Sequence, residues 1–239
     1  MPQHVKRIKV RRKDLKKPDE FETLTGQAVA WAQAHRSLVL TVAAGALVLA
    51  LGFLALGRWR DERNAAAGAA FRDAHASFEA GRFTDAARAF ADVESGYPRT
   101  PFGRLAGLYR GHALARQGDP AGAATAYGEY IATSPPSDYL RQEALTGLAR
   151  AKEATGDTGG ALEAYTQAGG LAGPYRTDAL LGAARLHEAA GEVDKAREIY
   201  TALLKDASDP ELHALLTAKL PAVGGADAKA AEQATTAIQ

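Results

Sequence analysis

The sequence predicts an all-α protein in which a single N-terminal transmembrane helix precedes a solenoid of about four helical hairpins and a capping helix. Two observations predict this fold class. Residues 37–57 contain no charged side chain, and four later segments repeat one arrangement of glycine, alanine and aromatic residues with spacings of 37, 38 and 35 residues. The composition agrees with helices, because alanine, leucine and glycine are abundant and strand-forming residues are scarce.

The chain contains no cysteine. This absence excludes disulfides, a catalytic thiolate, Cys-ligated zinc and a lipid anchor attached to cysteine. The formal net charge is only +1, but the charge is unevenly distributed. Residues 1–36 carry nine basic and four acidic residues, whereas residues 64–239 carry 17 basic and 22 acidic residues.

Residues 1–36 are predicted to form a basic cytoplasmic tail. Most of their charge lies between Lys6 and Lys17, and we expect this stretch to bind anionic lipid headgroups. Contact with ribosomal RNA or with a cytoplasmic partner is the less favoured alternative, so no nucleic-acid ligand is expected. A short helix is expected to start at Pro18, because proline suits the first turn and the acidic residues after it suit the positive end of a helix.

Residues 37–57 are predicted to form the transmembrane helix. These 21 residues would span about 31 Å as a helix, and their Leu, Val and Phe side chains favour insertion by roughly 3 to 7 kcal/mol. Trp31 and Trp59 flank the segment, at the depth where tryptophan is enriched. A cleaved signal peptide would have a shorter apolar stretch, and a core helix this apolar on all sides would be unusual in a small protein.

Basic residues also predict the orientation of this helix. Nine Lys or Arg precede the segment, and only Arg58, Arg60 and Arg63 follow it closely. Because the more basic flank stays in the cytoplasm, we expect a cytoplasmic N-terminus and an exported remainder of the chain.

The repeated arrangement has four positions: a small residue in a first helix, a glycine that ends that helix, an alanine five residues later and an aromatic residue four further on. The small residues are Ala74, Gly111, Ala149 and Ala184, and the glycines are Gly81, Gly118, Gly156 and Gly191. The alanines are Ala86, Ala123, Ala161 and Ala196, and the aromatic residues are Phe90, Tyr127, Tyr165 and Tyr200. Helical hairpins explain the pattern, because glycine can adopt the left-handed conformation that closes a helix, alanine allows paired helices to approach, and the aromatic ring fills the space between hairpins.

This pattern resembles the tetratricopeptide repeat over about residues 66–208. The repeats are slightly longer than the family's usual length, and a closing proline is clear only at Pro98 and Pro135. We expect the repeat domain to cover residues 58–220 and to end in a capping helix that starts at Asp209 and Pro210. The apolar face of that helix would consist of Leu212, Leu215, Leu216 and Leu220. Residues 221–239 have almost no core-forming side chain and are predicted to be disordered.

No catalytic pattern is present in the sequence. The six histidines do not pair at metal-ligand spacing, and there is no nucleophile elbow, phosphate loop or dinucleotide fingerprint. We therefore expect neither enzymatic activity nor a cofactor or metal.

A peptide-binding groove is the remaining hypothesis. By analogy with tetratricopeptide repeats, the first helix of each hairpin would line it, and Arg beside apolar anchors suits a segment with some acidic character. The candidate groove residues are Phe71, His75, Phe78, Leu105, Leu108, His112, Arg116, Arg150, Leu181 and Arg185, together with Glu153 and Glu188. The alternative is that several of these Leu and Phe residues only pack against the neighbouring hairpin. Recognition by the carboxylate-clamp type of repeat is contradicted by the lack of asparagine in the repeats.

The architecture as a whole, with a basic head, one anchor and an exported repeat domain, resembles the bacterial YfgM-like family of ancillary Sec translocon subunits. This resemblance implies a single-pass protein of the inner membrane with a periplasmic repeat domain. Its partners would be translocon subunits, periplasmic chaperones or secretory polypeptides. The alternatives are a scaffold of another envelope complex, such as cytochrome c maturation, cell division or outer-membrane assembly, and a receptor on an organelle with cytosolic repeats.

Overall fold

The computed structural model describes residues 20–133 and 138–220, and every regular element in these ranges is an α-helix. The helices are α1 (Glu20–Ala34), α2 (Arg36–Glu79), α3 (Phe83–Gly96), α4 (Pro101–Gln117), α5 (Pro120–Thr133), α6 (Asp138–Ala154), α7 (Thr158–Gly170), α8 (Arg176–Ala189), α9 (Val193–Asp206) and α10 (residues 210–220). The all-α prediction is confirmed over these ranges. The polybasic stretch of the predicted tail and the predicted disordered tail at 221–239 lie outside the described residues.

The chain divides into two compact units, with the boundary between Arg60 and Asp61. The first unit contains α1 and the beginning of α2. Its apolar side chains are exposed, including Leu40 at 69% and Phe53 at 75%. Among the described residues, α2 is the one helix whose length and composition would allow it to cross a membrane, and no residue of its most apolar stretch is buried.

The second unit is a solenoid of four helical hairpins. The hairpins pair the end of α2 with α3, α4 with α5, α6 with α7, and α8 with α9. Helices pack mainly against their neighbours in the chain, and additional contacts join the first helices α4 and α6, and α6 and α8. The predicted solenoid is therefore confirmed, and its first helices line one common face, which we call the first-helix face.

Left-handed glycines close the first helix of every hairpin. The φ angles are 74° at Gly81, 87° at Gly118, 84° at Gly156 and 74° at Gly191. Residues with a Cβ rarely adopt this conformation, because it brings the Cβ close to the following carbonyl oxygen. The turn after Gly156 then starts the second helix with Asp157, whose side chain accepts a hydrogen bond from the backbone N–H of Gly160 at 2.9 Å.

The aromatic residue of each second helix fixes the spacing between hairpins. Tyr127 is 2% exposed, and its ring lies between Gly111 of its own hairpin and Gly147 of the next. A Cβ at either glycine would be 2.6 Å from a ring carbon of Tyr127. The same contact recurs between Tyr165 and Gly182, where a Cβ would also lie 2.6 Å from the ring. We call each such position, where a glycine leaves room for the preceding hairpin's ring, a glycine notch.

The first junction is packed differently, because Tyr109 occupies the position at which the later hairpins have a notch glycine. Its ring lies 5.5 Å from that of Phe90 and 5.2 Å from that of Phe71, measured between centroids. The first two hairpins are therefore joined by a cluster of aromatic rings.

A buried glutamine holds the connection between the third and fourth hairpins. The Gln142 side chain is fully buried, and its Nε2 donates to the carbonyl oxygens of Ala168 at 3.1 Å and Leu171 at 2.8 Å. Its Oε1 accepts from the backbone N–H of Tyr175 at 3.1 Å. These bonds connect the buried side chain to backbone groups at the end of α7 and in the loop that follows it, so its polar atoms all have partners.

Helix α10 covers the end of the last hairpin. Leu216 is fully buried against Tyr200 and Leu203, and Leu212 and Leu220 pack beside it. Leu215 was predicted to share this face but is 49% exposed. The reason is its helical register: residues 212, 216 and 220 follow each other every four positions on one face, and residue 215 is rotated away from them.

The glycine notch predicts a specific destabilisation. We expect Gly147→Ala to lower the free energy of unfolding by about 1–3 kcal/mol, because its Cβ would overlap the ring of Tyr127. The matched control is Gly128→Ala in α5, where an added Cβ meets no atom within 4 Å and where alanine should stabilise the helix by about 0.5–1 kcal/mol. Urea unfolding of the full-length chain in detergent, followed by circular dichroism, measures both changes. Equal stability of the two variants would contradict the role assigned to Tyr127.

Candidate functional site

The first-helix face contains two cavities. The central cavity has a volume of about 490 Å³, and the distal cavity has a volume of about 270 Å³. The central cavity is lined mainly by Phe78, His112, Ala115, Arg116, Tyr127, Glu143, Gly147, Arg150, Ala154 and Tyr175. The distal cavity is lined by Arg150, Tyr165, Asp178, Leu181, Gly182, Arg185, Tyr200, Leu215 and Lys219. Arg150 lines both, so the two cavities are adjacent along the face.

Six of the ten candidate groove residues line these cavities: Phe78, His112, Arg116, Arg150, Leu181 and Arg185. Three others belong to the core. Leu108 is fully buried and Phe71 is 8% exposed, and Leu105 packs beside them between the first two hairpins. The expectation that Phe71 and Leu108 line an open groove is wrong, because they fill the space between neighbouring hairpins, as the alternative interpretation held. Leu105 is half-buried beside them.

His75, the tenth candidate, is half-buried within the aromatic cluster. Its ring centroid lies 5.4 Å from that of Tyr109 and 6.3 Å from that of Phe78. Its Nε2 lies 3.7 Å from the Glu79 carboxylate. His75 therefore contributes to the packing of the first junction and presents only part of its ring to the surface.

The signature tyrosines extend their hydroxyl groups toward the first-helix face. The hydroxyl of Tyr127 is hydrogen-bonded to Nδ1 of His112 at 2.7 Å, and that of Tyr165 donates to the Glu153 carboxylate at 3.3 Å. Burial raises the pKa of Tyr127 and Tyr165, and the nearby carboxylates add to the effect. Burial and the Glu188 carboxylate raise the pKa of Tyr200 to about 12. All three phenols therefore remain protonated hydrogen-bond donors at neutral pH.

Three polar pairs join the first helices of neighbouring hairpins and a fourth joins the last first helix to α10; we call these four pairs the ladder. They are His112 with Glu143 at 3.1 Å, Arg150 with Asp178 at 3.1 Å, Arg185 with Glu153 at 2.8 Å, and Lys219 of α10 with Glu188 at 3.0 Å. The contact between Arg185 and Glu153 uses both carboxylate oxygens. Such bidentate pairs have a defined geometry and are stronger than single contacts.

The ladder occupies fixed positions in the repeat. A basic residue follows the small residue of each first helix directly: His75, His112, Arg150 and Arg185. An acidic residue lies four positions after the small residue in the third and fourth hairpins, and six positions before it in the same two hairpins. Sequence reasoning missed the two acids at the earlier position, Glu143 and Asp178, and the partner on the capping helix, Lys219. The repeated basic residue next to the small one was the signal that could have led to them.

The arrangement makes the first-helix face suited to binding rather than to acid–base or metal chemistry. Within the described ranges, no group of three or more histidine or acidic side chains could hold a metal ion. The carboxylates of the ladder already have cationic or histidine partners. Arg116 and Arg150 remain exposed at the central cavity, beside aromatic and small side chains, although Arg150 is paired with Asp178.

The fold and this face define an α-solenoid of helical hairpins with a grooved face of mixed charge. The sequence profile of the family described as "tetratricopeptide repeat-like domain" matches residues 30–224. The chain belongs to this family. A comparison with curated proteins finds no match.

Several solved structures share the fold. A tetratricopeptide repeat protein from Parabacteroides merdae superposes with a TM-score of 0.57 at 17% identity, over 66% of this chain and 60% of that chain. Repeats described as TPR-like, from a Podosopora anserina kinesin light chain, give a TM-score of 0.54 at 19% identity, over 69% of this chain and 88% of that chain. The MamA protein gives a TM-score of 0.51 at 22% identity, over 58% of this chain and 72% of that chain. At these identities the likeness concerns the fold alone.

The ladder predicts a pH-dependent contribution to stability. Hydrogen bonds from Arg185 lower the pKa of Glu153 below its ordinary value of 4.5. A carboxylate with a lowered pKa in the folded state stabilises the fold above its unfolded pKa, and this stabilisation is lost as the pH falls through the folded pKa. We expect Glu153→Gln to cost about 0.2–1 kcal/mol at pH 7, because the pair is partly exposed, and to cost progressively less below pH 4.5.

Urea unfolding at several pH values measures this difference, with Glu198→Gln as the control at an exposed position of α9. A difference between wild type and Glu153→Gln that stays constant from pH 7 to pH 3 would argue against the ion pair with Arg185.

Proposed function

We propose that this protein is a membrane-anchored adaptor that binds other proteins through its first-helix face. The observation that carries the membrane part is the exposure of the apolar stretch of α2: none of its most apolar residues is buried, and Phe53 is 75% exposed. An exposed apolar surface of this length is unfavourable in water and favourable in a bilayer. In this proposal residues 37–57 cross the membrane, and the basic tail binds anionic headgroups.

The adaptor part of the proposal rests on the repeat family and on the first-helix face. Tetratricopeptide-like domains generally bind proteins. The face offers Phe78, Leu181 and Leu215 as apolar contacts beside exposed arginines, a combination typical of protein recognition. We expect no catalytic activity.

The particular role that we propose is that of an ancillary translocon subunit in the bacterial inner membrane, which connects secretion to periplasmic chaperones. It is supported by the nine basic residues that precede the apolar segment, since they favour a cytoplasmic N-terminus, and by the resemblance to YfgM-like proteins. The second candidate is a scaffold of another envelope complex, which the same architecture would serve.

Membrane insertion has a sharp test. We expect the full-length chain to remain with membranes after extraction with alkali and to be released by detergent. The double substitution Leu47→Asp and Leu51→Asp should release the chain into the soluble fraction. Each charged residue at the centre of a transmembrane helix costs about 2.5–3.5 kcal/mol, so two of them are enough to cancel the insertion free energy. The pair Leu47→Ala and Leu51→Ala is the control and should stay with the membrane. A wild-type chain that is fully soluble without detergent would refute the anchor.

The partner is identified by crosslinking in membranes. We expect a photoreactive residue at Leu215 or Arg116, on the first-helix face, to capture translocon subunits, chaperones or secretory polypeptides, whereas one at the exposed residue Ala202 of the second helix α9 should not. A stable complex without translocon subunits would favour the second candidate. A reporter fused after Gln239 that is active only in the cytoplasm would overturn the proposed orientation.

A further inference from the structure

The ladder has a regular rule at the C-terminal end of the solenoid. The acid four positions after the small residue of one first helix contacts a cation on the helix that follows on the same face, which is the next first helix or the capping helix α10. Glu153 of the third hairpin contacts Arg185 of the fourth, and Glu188 of the fourth contacts Lys219 of α10. Both pairs bridge alternate helices of the chain, α6 to α8 and α8 to α10, on the same face, so they are repeats of one structural contact.

The rule is broken between the second and third hairpins. The corresponding position of the second hairpin is Ala115, which has no carboxylate. The cation that this carboxylate would reach is Arg150, and its side chain remains 62% exposed with only the exposed Asp178 as a lateral partner. An acid is therefore missing where an exposed arginine is present. The first hairpin also has no acid at this position, where Phe78 stands, but the following basic residue is His112, which pairs with Glu143.

The central cavity lies at this place. Ala115 and Arg150 both line it, and Arg116 lines it beside them. The Arg116 side chain is exposed and its guanidinium lies 5.2 Å from the centre of the Phe83 ring. A contact of this kind orients the guanidinium without neutralising its charge. The cavity is thus lined by one arginine from α4 and one from α6, together with the small side chains of Ala115, Gly147 and Ala154. The Glu143 carboxylate, which also lines it, is already paired with His112.

We propose that the central cavity binds the carboxylate of a glutamate or aspartate side chain in an extended segment of a partner protein. This carboxylate takes the place that Glu153 and Glu188 hold at the following junctions, and it pairs with Arg150 and Arg116. The inference rests on the proposed adaptor function and specifies what its groove recognises. A side chain fits better than a chain terminus, because the face continues past Arg150 into the distal cavity, where the segment can extend beyond the acidic residue.

The site is tested with the full-length chain in nanodiscs and two libraries of decapeptides with acetylated and amidated ends. One library has a fixed central Glu, the other a fixed central Gln, and the flanking residues are random. We expect selected Glu peptides to bind at least about tenfold more tightly than their Gln twins, as for a hydrogen bond between charged groups. Arg150→Gln should weaken the binding of the selected Glu peptides by about the same factor of ten.

The decisive variant is Ala115→Glu, which supplies the missing acid from within the chain. We expect it to pair with Arg150, to weaken the Glu peptides about tenfold, and to leave the midpoint of thermal unfolding at or above that of the control. The control is Ala202→Glu, which makes the same charge change at an exposed position of α9 and should bind like wild type.

Selection without preference for Glu over Gln, unchanged binding by Ala115→Glu, or the absence of any selected peptide would each overturn the proposal. Binding restricted to peptides with a free C-terminal carboxylate would overturn the assignment to a side chain. Failure of this site is distinguishable from failure of the adaptor function, because crosslinking at Leu215 reports partner capture independently of an acidic residue in the partner.

Discussion

The contact of an aromatic ring with the next hairpin is the constraint on which the solenoid depends. Tyr127 and Tyr165 each lie against a glycine of the following first helix, Gly147 and Gly182, at distances that exclude a Cβ. Because protein interiors are densely packed, this contact sets both the separation and the rotation of consecutive hairpins. A helical hairpin cannot bury its apolar faces alone, so each junction also contributes to the stability of the domain.

The same contact determines the chemistry of the surface. A tyrosine ring wedged between two helices brings its hydroxyl to the first-helix face, where it reaches His112 or Glu153. The spacing that the ring imposes also brings basic and acidic side chains of neighbouring first helices within reach of each other. Most charges of this face therefore bind other parts of the solenoid. The junction beside Ala115 lacks the carboxylate of the later junctions, and Arg150 there remains 62% exposed beside its partner Asp178.

Much of the fold was predictable because its signals are local. Within each repeat, the glycine that ends the first helix and the alanine and aromatic residue that follow it lie within about ten residues of one another. Each of them has a direct conformational role. The groove was predictable only in part. A helical pattern shows that Phe71, Leu108 and Leu215 lie on apolar faces, but it does not show which face meets another helix. Two of these residues are buried in the core and Leu215 is open to solvent.

The sequence by itself determined that the chain has a charge-free stretch long enough to cross a bilayer, four hairpin repeats and no catalytic motif, because these properties depend on residue type and spacing along the chain. Only the tertiary structure decided which charges are paired and where the series of pairs is interrupted. Glu153 and Arg185 are 32 residues apart in the chain, and Gln142 binds a loop 29 residues away at Leu171. Their meeting depends on how one hairpin stacks upon the next, and that stacking is fixed by packing between helices rather than by any local pattern.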